Sequence, residues 1–492
     1  MASKSPLLHR RFVPCDAYQA KTTEGYSLLP LRFLPLDQAR YVLTNFAGEH
    51  IVLSRGVFHE FVTKQLPMHS PYYNELKSRH CLVDGESHIA LELLAAKYRT
   101  KQLILSEFTG LHIFVATLRC NNRCTYCQVS RQGPDKPGYD MTEAVADKAI
   151  DFMFRSPSRA LKVEFQGGEP LLHFQIIKYI VEKVEQRNEV EGRIIEFVIC
   201  TNLFLVSDDI LEFCAQHDVY FSTSLDGPRL LHNANRPNSE FDSYERTVSG
   251  IRRVREALGP HKIAALLTTT RASLSQPVEI MDEYLRQGFN SVFLRMINPY
   301  GFAVRNAAAA GYDVDEWLVF YKQALDYVLE LNYQGVPFRE EYASLVLKKM
   351  LTPYGTGFVD LQSPAGIGIS VVVFNYDGNV YASDESRMLA EMGDRRFCLG
   401  NLDADSYETM MLSDSLIGLL KETMAEGVPG CVDCALQPFC GSDPVRHYCT
   451  QGDPVGYKPT SDFCRKNMGI IKHLIGLLED DARAARTLTS WI

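Results

Sequence analysis

Cys120, Cys124 and Cys127 stand in the stretch Cys120-Asn-Asn-Arg-Cys124-Thr-Tyr126-Cys127, a CxxxCxxC spacing. Three thiolates on one short loop can each take one iron of a [4Fe–4S] cluster, leaving the fourth iron open to another ligand. That open iron separates a reactive cluster from one that only carries electrons. Three cysteines with a distant histidine could instead make a zinc site, although zinc loops favour paired CxxC spacings. A second cysteine group reads Cys431-Val-Asp-Cys434-Ala-Leu-Gln-Pro-Phe-Cys440, followed by Cys449 and Cys464. The remaining cysteines, Cys15, Cys81, Cys200, Cys214 and Cys398, are scattered and read as small buried hydrophobes. Two shorter strings, Gly167-Gly168-Glu169-Pro170 and Ser224-Leu225-Asp226-Gly227-Pro228, would each pass for a turn if met alone.

Residues 109–310 alternate strands with helices and so position these groups. Strands are expected at 112–117, 161–166, 194–201, 219–225, 263–269 and 291–296. Helices are expected between them at 143–154, 174–186, 208–216, 244–257 and 277–287. Six βα units predict a parallel sheet with right-handed crossovers, a partial (β/α)6 TIM-like barrel. Reactive groups in such folds gather where strands end. Cys120 follows the first strand, Gly167-Gly168-Glu169 the second and Thr201-Asn202 the third. Ser224 and Asp226 close the fourth strand and Arg295 the sixth, so the polar motifs share one rim.

Residues 1–108 read as a separate winged-helix-like unit. It has a hairpin at 41–44 and 50–53, a helix capped by Ser54, a second beginning at Ser70-Pro71 and a third from Ser87 to Tyr98. Residues 311–360 form a helical bridge, with Leu318, Tyr321, Leu325 and Val328 on one face. Residues 361–492 hold the second cysteine group, a hairpin at Tyr376-Asp377-Gly378-Asn379 and a last helix with Met468, Ile471, Ile475 and Leu478 on one face.

Composition narrows the function. A net charge of −9 argues against nucleic-acid binding, which favours a basic face. No apolar run reaches membrane-spanning length, and MASKSPLLHRRF lacks the apolar core of a signal peptide. The cytoplasm is therefore expected, where clustered cysteines bind metal or do redox work more often than they pair.

On these motifs the chain resembles the radical S-adenosylmethionine (SAM) superfamily. The resemblance implies that the open iron binds SAM and that reductive cleavage yields a 5′-deoxyadenosyl radical, which abstracts a substrate hydrogen. It places Tyr126 near the adenine, Gly167, Gly168 and Glu169 along the methionyl amine, and Ser224 with Arg236 at the carboxylate or ribose. Thr201-Asn202-Leu203 departs from the family's TNG. The C-terminal cysteines resemble the SPASM domain of peptide-modifying members. By that resemblance Cys431, Cys434, Cys440 and Cys464 ligate one auxiliary [4Fe–4S] cluster, with a zinc ribbon as the alternative and Cys449 spare or a substitute ligand. Positions belonging to the family's other auxiliary cluster are Ser363, Ser383 and Pro444, so that cluster is expected to be missing. Asp384 matches the substrate-side base of anaerobic sulfatase-maturing enzymes, or belongs to a solvated charge run.

Longer stretches, among them Cys440-Gly-Ser-Asp-Pro-Val and Asn375-Tyr-Asp-Gly-Asn-Val-Tyr, resemble the His-Xaa-Ser system radical SAM maturases of the HxsB type. This implies a ribosomally made precursor peptide as substrate and a companion radical SAM maturase. It also implies a flavodoxin- or ferredoxin-type electron donor and leader-peptide recognition by the N-terminal unit. The alternatives are a maturase forming sulfur-to-carbon links or formylglycine, and a non-catalytic iron–sulfur or zinc scaffold.

Overall fold

The computed structural model describes residues 25–85 and 88–492; Cys15, the N-terminal stretch and Ser87 lie outside them. The chain forms two compact units. The first takes the described residues up to Leu103 together with Lys348–Gly355 and Pro429–Phe439. The second takes Ile104–Leu347, Thr356–Val428 and Cys440–Ile492.

In the first unit, β1 (Ser27–Leu28) pairs antiparallel with β5 (Leu82–Val83), while β2 (Leu31–Pro35), β3 (Arg40–Asn45) and β4 (His50–Ser54) make an antiparallel meander. The expected hairpin is its β3–β4 half. Ser54 caps the helix Arg55–Val62 through Val57 N at 3.4 Å, and Pro71 opens the helix Pro71–Ser78. Leu43, Ile51, Leu53, Phe61, Tyr73 and Leu76 form the core between sheet and helices. Burying each such side chain stabilises the unit by about 1.5–3 kcal/mol. The segment Pro429–Phe439 belongs here because Arg32 reaches into it, with Nε 2.6 Å from Val432 O and Nη1 2.8 Å from Gln437 Oε1.

The second unit is built on nine strands in the order β12-β10-β9-β8-β7-β6-β14-β15-β16. These are β6 (Leu111–Thr117), β7 (Ala160–Gly167), β8 (Ile194–Cys200), β9 (Tyr220–Ser224), β10 (Ile263–Thr268), β12 (Leu294–Arg295), β14 (Val371–Phe374), β15 (Asn379–Tyr381) and β16 (Cys398–Asn401). From β12 to β14 the pairing is parallel, with the helices Glu143–Phe154, Phe174–Glu191, Asp208–Gln216, Ser243–Leu258 and Pro277–Arg286 as crossovers. The hairpin expected at 376–379 joins β14 to β15 and, through β14 on β6, continues the central sheet.

Two details differ from expectation. The sixth strand is broken at Phe293: β11 (Ser291–Val292) pairs with β13 (Arg339–Glu340), while Leu294 N turns to the buried Glu340 carboxylate at 3.1 Å. The last long helix, Asp462–Asp480, buries Phe463, Asn467, Ile470, Ile471, Leu474 and Ile475, whereas Met468 and Leu478 stay partly exposed. Gly469 sets this rotation. A Cβ there would sit 2.6 Å from the Leu318 side chain on the helix Val314–Tyr333. Among the described residues no helix is long and apolar enough to cross a membrane.

Candidate active site

β6 ends at Thr117 and the chain enters the loop that carries the three thiols. Thr117 Oγ1 donates to Asp140 at 2.6 Å and Arg119 Nε reaches the same carboxylate at 2.7 Å, fixing the loop's first turn. Its far side is held from outside: Thr125 N donates to Asn235 O (2.8 Å), Asn306 Nδ2 to Thr125 O (2.6 Å) and Phe302 N to Cys127 O (2.7 Å). Gly301 allows that last approach, since a Cβ there would lie 2.6 Å from Gln128 O. Sequence reading passed over Asn235, Gly301 and Asn306, whose only signal was a glycine among loop residues. None of the three cysteines is in a disulfide. Burial holds the Cys120 thiol well above its ordinary range and pushes Cys124 up to about 11, with the Arg236 guanidinium pulling Cys124 the other way. Such thiols release their protons when a metal binds.

The facing wall comes from the ends of β7 and β8. Gly167 and Gly168 are required here by the protein itself. A Cβ at Gly167 would lie 1.9 Å from Thr117 O, and one at Gly168 would lie 2.3 Å from Arg119 O. Glu169 is buried and accepts from Thr201 Oγ1 (2.6 Å), Asn202 N (2.8 Å) and Leu171 N (3.1 Å), tying the two strand ends together. Burial still raises its pKa to about 7. Leu203, which stands where the family has glycine, adopts φ 67°. Gly250 on the helix Ser243–Leu258 makes room for it, since a Cβ there would lie 2.5 Å from Leu203 Cβ.

Behind the cysteine loop lies a buried triangle. The Tyr126 hydroxyl donates to Asp226 at 2.8 Å, Arg236 Nε pairs with Asp226 at 3.0 Å, and Arg236 Nη2 bonds the Tyr126 oxygen. Arg236 Nη1 lies 3.8 Å from Cys124 Sγ. The guanidinium thus points its donors at Asp226, Tyr126 and the cysteine loop. Asp384 opens the helix Asp384–Glu391, and its Oδ1 takes both Nη2 (2.6 Å) and Nε (3.0 Å) of the buried Arg387.

One cavity, open to solvent, is lined by Cys120, Cys124, Cys127, Tyr126, Gly167, Gly168, Glu169, Ser224, Arg236 and Asp384. Thr201, Asn202 and Arg295, which the sequence put on the same rim, line it too, whereas Asp226 does not. Along the strands, alternate residues present a polar face to this cavity: Glu164 and Gln166 on β7, Cys200 on β8, Ser222 and Ser224 on β9, and Thr268 on β10. Their neighbours Val163, Phe165, Ile199, Phe221 and Leu267 are buried. The alternation Lys162-Val-Glu164-Phe-Gln166 was the available signal.

The donor set fits an iron–sulfur cluster with a polar ligand. Among the described residues no three His, Cys, Asp or Glu side chains gather round one metal ion; a cluster asks for one thiolate per iron. Around the thiols, Asn122 Nδ2 and Arg131 Nε are buried polar atoms of cavity-lining residues with no hydrogen-bond partner among the described residues. Buried donors of this kind call for a ligand or water.

The C-terminal cysteines divide between the units. Cys431 and Cys434 sit in a turn of the first, Cys434 N donating to Cys431 O at 3.0 Å. Cys440 and Cys464 belong to the second, where Asn467 Nδ2 approaches Cys440 Sγ at 3.5 Å and Ser461 caps Cys464 N at 3.2 Å. Cys449 Sγ faces Pro299 O at 3.3 Å. Ser363 Oγ bonds Glu426, Ser383 caps the helix Asp384–Glu391, and Pro444 opens the helix Pro444–Gln451.

Comparison with known proteins agrees with this geometry. Residues 114–283 match the family described as the Radical SAM superfamily. The radical SAM cyclopropyl synthase TigE of Paramaledivibacter caminithermalis is 20% identical over 45% of this chain and 48% of its own length. A cysteine-type anaerobic sulfatase-maturating enzyme of Clostridium perfringens is 23% identical over 56% of this chain and 74% of its own. For the first relatives the match spans only 64%, 38% and 48% of the relative's own length. The crystal structure of Streptococcus suis SuiB bound to its precursor peptide SuiA shares the fold. It superposes with a TM-score of 0.53 at 14% identity, covering 89% of this chain and 100% of that one. SuiB bound to S-adenosylmethionine superposes equally well, at 0.53.

Proposed function

From the radical SAM domain at residues 114–283, we propose that this protein cleaves SAM reductively and modifies a ribosomally made peptide, of the His-Xaa-Ser kind handled by HxsB-type maturases. The observation that carries the reading is the shared cavity, where three thiols from one loop face the Gly167-Gly168 wall and Ser224 across a donor-lined space. Cys120, Cys124 and Cys127 hold the cluster. With SAM bound beside it, such a cluster would supply the one-electron reduction that the cleavage requires.

The chain's own residues do the rest. The Gly167-Gly168 backbone and Ser224 orient SAM, and Glu169 keeps the β7 and β8 ends in place for it. Arg236, braced by Asp226, presents Nη1 to Cys124 and favours the thiolate. Asp384 lies on the substrate side, aimed by Arg387, and accepts the proton that the modified residue gives up. The C-terminal cysteines hold one auxiliary [4Fe–4S] cluster. The first unit, a meander with three helices, takes the leader peptide by strand addition. A flavodoxin- or ferredoxin-type donor supplies electrons, a companion maturase acts alongside, and the work is done in the cytoplasm. The neighbours SuiB, with its precursor peptide, and the sulfatase-maturating enzymes support a peptide substrate by analogy.

The test is anaerobic reconstitution with iron, sulfide and SAM, followed by reduction. Deoxyadenosine should form, and a Cys124→Ala variant should form none. No deoxyadenosine from the wild type leaves the scaffold reading standing. Mass spectrometry of a co-expressed precursor peptide then separates thioether, formylglycine and other products.

A further inference from the structure

Three carboxylates line the cavity, and two of them are already held by strong donors. Glu169 takes two backbone amides and a hydroxyl, and Asp384 takes the Arg387 guanidinium. Glu164 is different. Its Oε1 accepts from the Gln166 amide at 2.7 Å and from the Cys200 thiol at 3.3 Å, both neutral. Among the described residues no lysine or arginine forms an ion pair with it; Lys162, two residues before it on β7, feels its charge but bonds Glu196 at 2.8 Å. Among the described residues its second oxygen takes no hydrogen bond. Gln166 and Cys200, its two hydrogen-bonding neighbours, are too weak to neutralise a carboxylate.

An open cavity lets water serve Glu164. A substrate that fills the cavity removes that water, and an ionised carboxylate left without donors is costly. The penalty is avoided when the incoming group brings the donors itself. A cationic nitrogen does this best, since charge-assisted hydrogen bonds are about twice as strong as neutral ones. Resting on the peptide-maturase reading above, we infer that Glu164 selects the substrate: the segment that enters the cavity presents a cationic side chain with N–H donors to this carboxylate.

The experiment uses reconstituted holoenzyme with SAM and three fluorescein-labelled heptapeptides that differ only at the central residue: lysine, norleucine or glutamate. Binding is followed by fluorescence anisotropy. For the wild type the lysine peptide should bind at least about tenfold more tightly than the norleucine peptide. Glu164→Gln should bring the two within about twofold, and Glu164→Lys should favour the glutamate peptide. A carboxylate that only braces Gln166 and Cys200 would weaken all three peptides together and leave their order unchanged. Absence of discrimination by the wild type, through equal binding or none, or a preference that survives both variants, would overturn the inference. Deoxyadenosine formation by the wild type is measured separately. Its loss would count against the maturase reading, and a lost charge preference against the role of Glu164.

Discussion

Arg236 shows how a single charge is kept inside this protein. Its guanidinium is buried, and the Asp226 carboxylate beside it is fully buried too. Breaking such a pair costs more than its net worth, because the surviving charge stays buried and unpaired. Asp226→Ala should therefore cost about 3–5 kcal/mol in anaerobic urea unfolding. Tyr126→Phe removes one neutral donor from the same triangle and should cost about 1–2 kcal/mol. The reverse order would show that the triangle does not hold this corner of the fold. Because Arg236 also faces Cys124 Sγ, Asp226→Ala should bind less iron per chain than the wild type after reconstitution. At this scale the reactive cysteines were plain from sequence, since a spacing of three and two residues is itself the chemistry. Their supports were not. Asn235 acts through its backbone carbonyl, Gly301 through the Cβ it lacks, and Asn306 through an amide that meets the loop from far along the chain, so no local spacing announced the contacts.

Between elements, the exchange of glycine and leucine beyond β8 is instructive. A leucine at φ 67° is strained by about 1–2 kcal/mol. It persists because its side chain is buried against the helix Ser243–Leu258, where Gly250 yields the space. Gly250→Ala should force Leu203 aside and cost about 1–3 kcal/mol. Leu203→Gly loses the buried side chain but opens the same space, so the double variant should be more stable than the sum of the single losses by about 0.5–3 kcal/mol. Additive losses in that double-mutant cycle would mean that the two residues do not press on one another. The strands and crossover helices were readable from periodicity, and the order of the six βα units follows from it. The break at Phe293 was not, because it is made by Glu340, a residue far along the chain whose carboxylate captures Leu294 N.

For the whole molecule, buried histidines set the response to acid. Burial lowers His112 to about 3 and His232 and His447 to about 4. These groups fold neutral, while the unfolded chain takes up a proton near pH 6.5. Their contribution is therefore present above pH 6.5 and is lost as pH falls toward the folded values. Glu169 and Glu340, each raised to about 7 by burial, act in the opposite sense: they favour the fold below about pH 4.5 and lose that contribution as pH rises through 7. His112 stacks on Phe374 at 6.0 Å with its Nδ1 unpartnered, so His112→Phe keeps the shape and removes the proton. Between pH 8 and pH 5 the variant should gain about 2 kcal/mol on the wild type in urea unfolding. A constant difference across that range would place the acid response elsewhere. Sequence alone determined the cysteine loop, the βα order and the rim on which Gly168, Ser224 and Arg295 stand, because each follows from local spacing or period. Only the tertiary structure decided that Gly167 and Gly168 yield to the backbone at the end of β6, that Arg236 is spoken for by Asp226, and that polar residues of several strands share one cavity. Those facts depend on which surfaces meet, and a linear pattern carries no record of what lies across a cavity.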